Sequence, residues 1–175
     1  MQQEKQTRSV KPIQHTAYHE AGHVVLAHFL GVGLRRVSIT DEDCSAYILD
    51  GGEYREDIEH MRIFAEEAFW LRMATVRYAG AEAVRRLAPQ SRWRGAESDY
   101  KWAAGALDKI TMDWPSRRAL FVYAQRRTRL LVENYLPEIE TLARALMERK
   151  HLDADEAGEV LRGSFLRRRG MRMAY

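Results

Sequence analysis

Two histidines four residues apart, His19 and His23, with Glu20 directly after the first, stand inside the stretch His-Thr-Ala-Tyr-His-Glu-Ala-Gly-His-Val-Val-Leu-Ala-His-Phe-Leu-Gly. This H-E-x-x-H pattern works only on a helix, where side chains at i and i+4 leave the same face one turn apart. Two imidazoles so placed can reach a single zinc ion with bonds of about 2.0–2.1 Å. The chain reads as one helix from about residue 13 to residue 30, with Pro12 suited to its first turn and Gly31 and Gly33 to its stop. Random placement at this composition yields the pattern in about 2 of 100 sequences. The plainer alternative is an amphipathic helix with its polar residues on a solvated face. Gly22 argues against it: an interior glycine costs a helix about 1 kcal/mol relative to alanine, so its presence predicts that another backbone passes close by.

Glu20 follows the first histidine directly, where its carboxylate can hydrogen-bond a water beside the metal instead of ligating the metal, which makes it the candidate general base. A catalytic zinc site normally takes three protein ligands and leaves one position open. Cys44 is the only cysteine, which excludes an internal disulfide and thiolate-cluster zinc sites. The third ligand is therefore a histidine or a carboxylate. The longer H-E-x-x-H-x-x-G-x-x-H pattern is absent, and His28, five residues beyond His23, falls on a different face and reads as a packing or ligand-supporting histidine. His60, His151 and the carboxylates remain, and among the carboxylates Glu97 and Asp99 stand where a loop leads into a helix that would hold an acid rigidly. Spacing alone does not choose among them. Tyr18, Tyr100 or a backbone amide are candidates to stabilise a developing oxyanion.

At 175 residues, 46% hydrophobic and 30% charged, the chain has the size and balance of one folded domain. Its longest apolar run, from Val24 to Leu30, is interrupted by His28 and is far short of the roughly 20 residues that span a membrane. The polar residues 1–12 lack the apolar core of a secretory signal, so the expectation is a cytoplasmic protein. The net charge is only +3. Four arginines gather without an acid in residues 164–175, which read as a solvated tail, and nucleic-acid binding is not expected.

Two β-like runs at 36–40 and 45–49 follow the first helix, separated by turn residues. Helical spacing then covers 55–87, with Gly80 as a break, 96–111, 116–135, and a stretch restarted at Pro137. A final helix begins after His151 and Leu152 with Asp153 as its N-cap. The expected class is mainly α (α+β), with a zincin-like long helix and a small two- or three-stranded sheet. The expected organisation is a tail at 1–12, one folded domain at 13–163 that carries the H-E-x-x-H helix, and a basic tail at 164–175. Trp70, Trp93, Trp102 and Trp114 read as core anchors in preference to a groove lining.

The segments around His19 to His23, at 78–87 and at 95–107 occur in an order that resembles the peptidase domain of FtsH-type membrane proteases. Residues 134–161 resemble that domain's closing helices, so the resemblance covers about 14–161. It implies Zn²⁺ as cofactor, His19 and His23 as two ligands, Glu20 as base, and Asp99, between Ser98 and Tyr100, as the third ligand. It also implies an extended polypeptide substrate added to a sheet edge, here at Ala46, Tyr47, Ile48 and Leu49. The chain departs from the family in having no Walker A sequence, hence no ATP binding of its own, and no membrane helices. The family's glycine-rich stretch is reduced to Ala79-Gly80-Ala81, and Glu82 does not match its acidic residue. The expected function is thus an ATP-independent zinc metallopeptidase acting on unfolded chains, with a separate unfoldase or a homo-oligomer as partner. Its alternatives are a non-catalytic zinc-binding adaptor or regulator and a hydrolase of non-peptide amides.

Overall fold

Helix α1 (Ile13–Leu30) is buried on all sides through its middle, with every residue from 19 to 27 inside. Ala17, Ala21, Val24, Val25, Leu26 and Ala27 make it apolar around its circumference, which suits a helix enclosed by other elements. A computed structural model describes residues 13–40, 44–48, 64–89, 95–168 and 170. The helix ends as expected: Gly31 takes a left-handed φ of 66°, and the Val32 N–H returns to the Ala27 carbonyl at 2.9 Å.

The fold is mainly helical, with a three-stranded antiparallel sheet in the order β2-β1-β3, where β1 is Leu34–Ile39, β2 is Cys44–Ile48 and β3 is His151–Asp153. Val37 pairs with Ala46 on one side and Leu152 on the other, and all three are buried; α1 packs on β1 and β2, and α5 and α6 on β3. Residues 151–152, expected as a plain join between helices, supply the third strand. The join has to cross the exposed edge of β1, and pairing there satisfies its backbone groups.

Helix α2 (Phe64–Leu87) crosses α1 at Gly22, where an added Cβ would stand 2.8 Å from both the Ala79 carbonyl oxygen and the Ala83 Cβ. The close backbone predicted from Gly22 is therefore that of α2. Helix α5 (Leu136–Arg149) covers another side of α1 with Ile139, Leu142, Ala143 and Leu146, all fully buried at i, i+3, i+4 and i+7. Each buried leucine or isoleucine of this stripe contributes roughly 1.5–3 kcal/mol. Helices α3 (Glu97–Asp108) and α4 (Trp114–Asn134) lie against α2, and α6 (Ala154–Arg168) lies against α5.

Several expectations are corrected. Gly80 does not break α2, which runs through it without interruption. Helix α4 starts at Trp114, with Asp113 accepting from the Ser116 N–H at 3.0 Å. Helix α6 continues past residue 163 to Arg168 and buries Ser164, so the first residues of the expected tail belong to the fold. Trp102 and Trp114 are exposed and are not core anchors, while Trp70 is partly buried against the core. Residues 1–12, 55–63, 171–175, His60, Trp93 and Leu49 lie outside the described residues, as does the side chain of Tyr47. Among the described residues no helix is long and apolar enough to cross a membrane.

Asp153 caps α6 as expected and does so reciprocally. Its Oδ1 accepts from the Glu156 N–H at 2.9 Å, and Glu156 Oε2 accepts from the Asp153 N–H at 3.0 Å. Asp153→Ala is expected to lower unfolding stability by about 1 kcal/mol. Chemical denaturation checks this, and an unchanged midpoint would show that the cap contributes nothing.

Candidate metal centre

His19, Glu20 and His23 project from the enclosed middle of α1, with 6%, 6% and 2% of their surfaces exposed. A solvated polar face is thereby ruled out, and buried polar groups of this kind require partners. Their main partner comes from α3. Asp99 sits in the first turn of that helix, where the positive end of the helix dipole favours a carboxylate, and it too is buried.

Asp99 Oδ2 lies 3.0 Å from His19 Nε2 and 3.4 Å from His23 Nε2, and the two histidine Nε2 atoms are 3.0 Å apart. Zinc bonds of about 2.0–2.1 Å meeting at tetrahedral angles would place ligand atoms roughly 3.3–3.4 Å apart. The observed triangle is close to that size. The tautomer of His23 also fits: its Nδ1–H donates to the Val76 carbonyl of α2 at 2.8 Å, which turns the Nε2 lone pair into the triangle. His19 Nε2, His23 Nε2 and one oxygen of Asp99 thus converge, sharing protons that a bound metal ion would displace. His19, His23 and Asp99 can hold a metal ion, and their nitrogen and oxygen donors suit zinc.

The other candidate ligands are placed elsewhere. Glu97 and His151 are exposed, and His28 is an exposed ring set edge-on to Phe29, with burial and the charge of Arg162 holding it below the usual imidazole range. The expected packing role of His28 is thus limited to that ring contact. Tyr18 accepts from the Gln14 amide at 2.8 Å, and Tyr100 packs against Tyr78. Glu82 is buried among Arg85, Arg86 and Arg129 on the far stretch of α2, as an ion-paired structural carboxylate.

Glu20 does not join the triangle. Its carboxylate accepts a hydrogen bond from the backbone of Ala46 on β2, which ties the sheet to the site. Burial pushes its pKa up to about 7, with Asp99 adding to the rise and His23, the Ala46 hydrogen bond and Arg77 opposing it. Burial also opposes ionisation of Asp99, but hydrogen bonds and charge from His19 and His23 outweigh it and hold the carboxyl well below its usual range. For His23, burial favours the neutral ring, but the Asp99 hydrogen bond and charge prevail and raise its pKa above 6.5.

That balance sets a pH dependence for metal uptake. A histidine must lose its proton to ligate, and His23 holds its proton to a higher pH than an ordinary imidazole. Zinc affinity is expected to rise about tenfold per pH unit while that proton is being displaced, and to level off above the raised His23 value. Competition titrations against a chelator of known pH behaviour measure it. A flat profile across neutrality would contradict the arrangement.

Three features of the site are not evident from the motif. The Val76 carbonyl fixes a ring, the Ala46 backbone bonds the Glu20 carboxylate, and Gly80 clears space for both imidazoles. A Cβ at Gly80 would stand 2.5 Å from His19 Cε1 and Nδ1 and 2.6 Å from His23 Nε2. The small-residue run Ala79-Gly80-Ala81 was the available signal, of the same kind as Gly22. No known protein family matches the chain, and no characterised protein shows significant sequence similarity to it.

Proposed function

We propose that the protein is an ATP-independent zinc metallopeptidase that hydrolyses unfolded or extended polypeptides. The observation that carries this reading is the buried convergence of His19, His23 and Asp99, with Glu20 beside them and outside the ligand triangle. The order of motifs resembling the FtsH-type peptidase domain supports it.

A zinc ion held by His19, His23 and Asp99 would supply Lewis acidity, acidifying water and polarising a carbonyl. The remaining work belongs to the chain. Glu20, buried beside the ligand triangle, accepts a proton from the attacking water and passes it to the leaving amine. Its carboxylate accepts from the Ala46 backbone on β2. Val76 and Gly80 hold the rings in register, and burial excludes bulk water from the donors. Strand β2, at the sheet edge among the described residues and with Ala46 and Ile48 buried beside α1, is the proposed substrate rest. The proposed reaction takes substrate that arrives extended or that a separate partner unfolds.

The alternative is a non-catalytic zinc-binding adaptor, whose structural site would be closed by a fourth protein ligand. Among the described residues only three side chains converge. Incubating zinc-loaded protein with a disordered polypeptide tests the proposal. Cleavage that stops on chelation and returns with zinc is expected. Intact substrate with fully loaded protein would favour the adaptor.

A further inference from the structure

Asp99 has two carboxylate oxygens but offers the histidines only one. Oδ2 faces His19 and His23, while Oδ1 lies 3.6 Å from Nη1 of Arg77. Arg77 stands on α2 one turn before Gly80, with its side chain only 18% exposed. Its guanidinium lies 5.3 Å from the centre of the Trp102 ring, and Trp102 follows Asp99 by one turn on α3. The buried Nε of Arg77 has no hydrogen-bond partner among the described residues. The cation is therefore held here by Asp99 and an aromatic face, without a full set of hydrogen bonds.

We infer that Arg77 is a positioning residue of the metal centre: it fixes the outer oxygen of Asp99 so that the inner oxygen alone is presented to the metal. The two helices divide the task. α2 brings both Gly80, which clears room for the rings, and Arg77, which restrains the carboxylate. α3 brings both Asp99 and the ring over which the guanidinium lies. A planar, permanently charged guanidinium can lie over indole and face a carboxylate together, which the ammonium of lysine does less well. Groups that orient metal ligands in this way typically contribute 10–100-fold to metal affinity.

The inference rests on the reading of His19, His23 and Asp99 as metal ligands, so the experiment separates the two. Zinc affinity is measured by chelator competition on the full chain, alongside the visible spectrum of the cobalt-substituted protein and the melting temperature without metal. Arg77→Ala is expected to bind zinc about 10–100-fold more weakly. Its cobalt bands should change in intensity, as a carboxylate free to turn alters the coordination number. Arg77→Lys is expected to recover part of the affinity. Trp102→Ala, at an exposed ring, should move affinity the same way by a smaller factor. A purely structural role would shift the melting temperature and leave the cobalt spectrum of folded protein unchanged, which would overturn the proposal. Wild-type affinity in Arg77→Ala would also overturn it, as would wild-type affinity in both Arg77→Lys and Trp102→Ala where the alanine variant does not fold. Asp99→Ala is the control: undiminished zinc binding there overturns the metal-centre reading itself.

Discussion

Glu20→Gln is expected to retain its metal and lose about 10²–10⁴ of its hydrolytic rate. The substitution preserves the size of the side chain and its capacity to accept the Ala46 hydrogen bond, so the sheet stays tied to α1. What it removes is the ability to take up a proton near neutrality. The ligand triangle of His19, His23 and Asp99 does not include this carboxylate, so zinc stoichiometry should be unaffected. The size of the effect follows from the role assigned to Glu20: a structural carboxylate buried for another reason would change stability and leave turnover in folded, loaded protein intact. Steady-state cleavage of a disordered polypeptide, compared at equal zinc content, is the measurement. Equal rates in the two proteins would remove Glu20 from the mechanism.

Gly80→Ala is the second change with a large expected effect, and here two contributions oppose each other. Alanine is favoured over glycine in a helix interior by about 1 kcal/mol, so local propensity alone predicts a gain in stability. Against it stands a methyl group 2.5–2.6 Å from ring atoms of both His19 and His23. Such overpacking costs typically about 1–3 kcal/mol. The rings are side chains and can yield more cheaply than the α2 backbone, so the fold is expected to survive with a modest net loss. The metal site is not. Displacing ligands by even about 1 Å can cost 100-fold in activity, and a loss of that order is expected here, together with weakened zinc binding. Calorimetric titration with zinc and thermal melting of the same sample separate the two effects. Wild-type affinity in this variant would mean that the rings are not held against α2.

The helix carrying His19, Glu20 and His23 was legible because what defines it is local: the i, i+4 spacing, Gly31 at its end, and the apolar residues Ala17, Ala21 and Val24 to Ala27 around the polar three. Gly22 was legible for a related reason, since an interior glycine needs a tertiary cause. The same logic applied to Gly80, but the local rule that glycine interrupts helices competed with it. The tertiary demand, room for two imidazoles, was invisible until α2 lay across α1. Asp99 could not be chosen by spacing because it lies 80 residues from His19 and reaches it only through the packing of α3 on α2. Resemblance in motif order named it. Trp102 and Trp114 were misread because residue type alone favours the interior for a large ring, whereas both lie on outer faces, against Arg77 and Arg117 respectively. The third strand was hidden because three residues carry too little periodicity to register, and their pairing is decided by β1.

A single metal site formed by His19, His23 and Asp99 predicts a stoichiometry. Elemental analysis of protein produced with zinc and purified without chelators tests it most directly, with His19→Ala and Asp99→Ala prepared in parallel. About one zinc per chain is predicted for the wild type and close to none for either variant. Metal-free wild-type protein, or variants that keep a full complement of zinc, would contradict it.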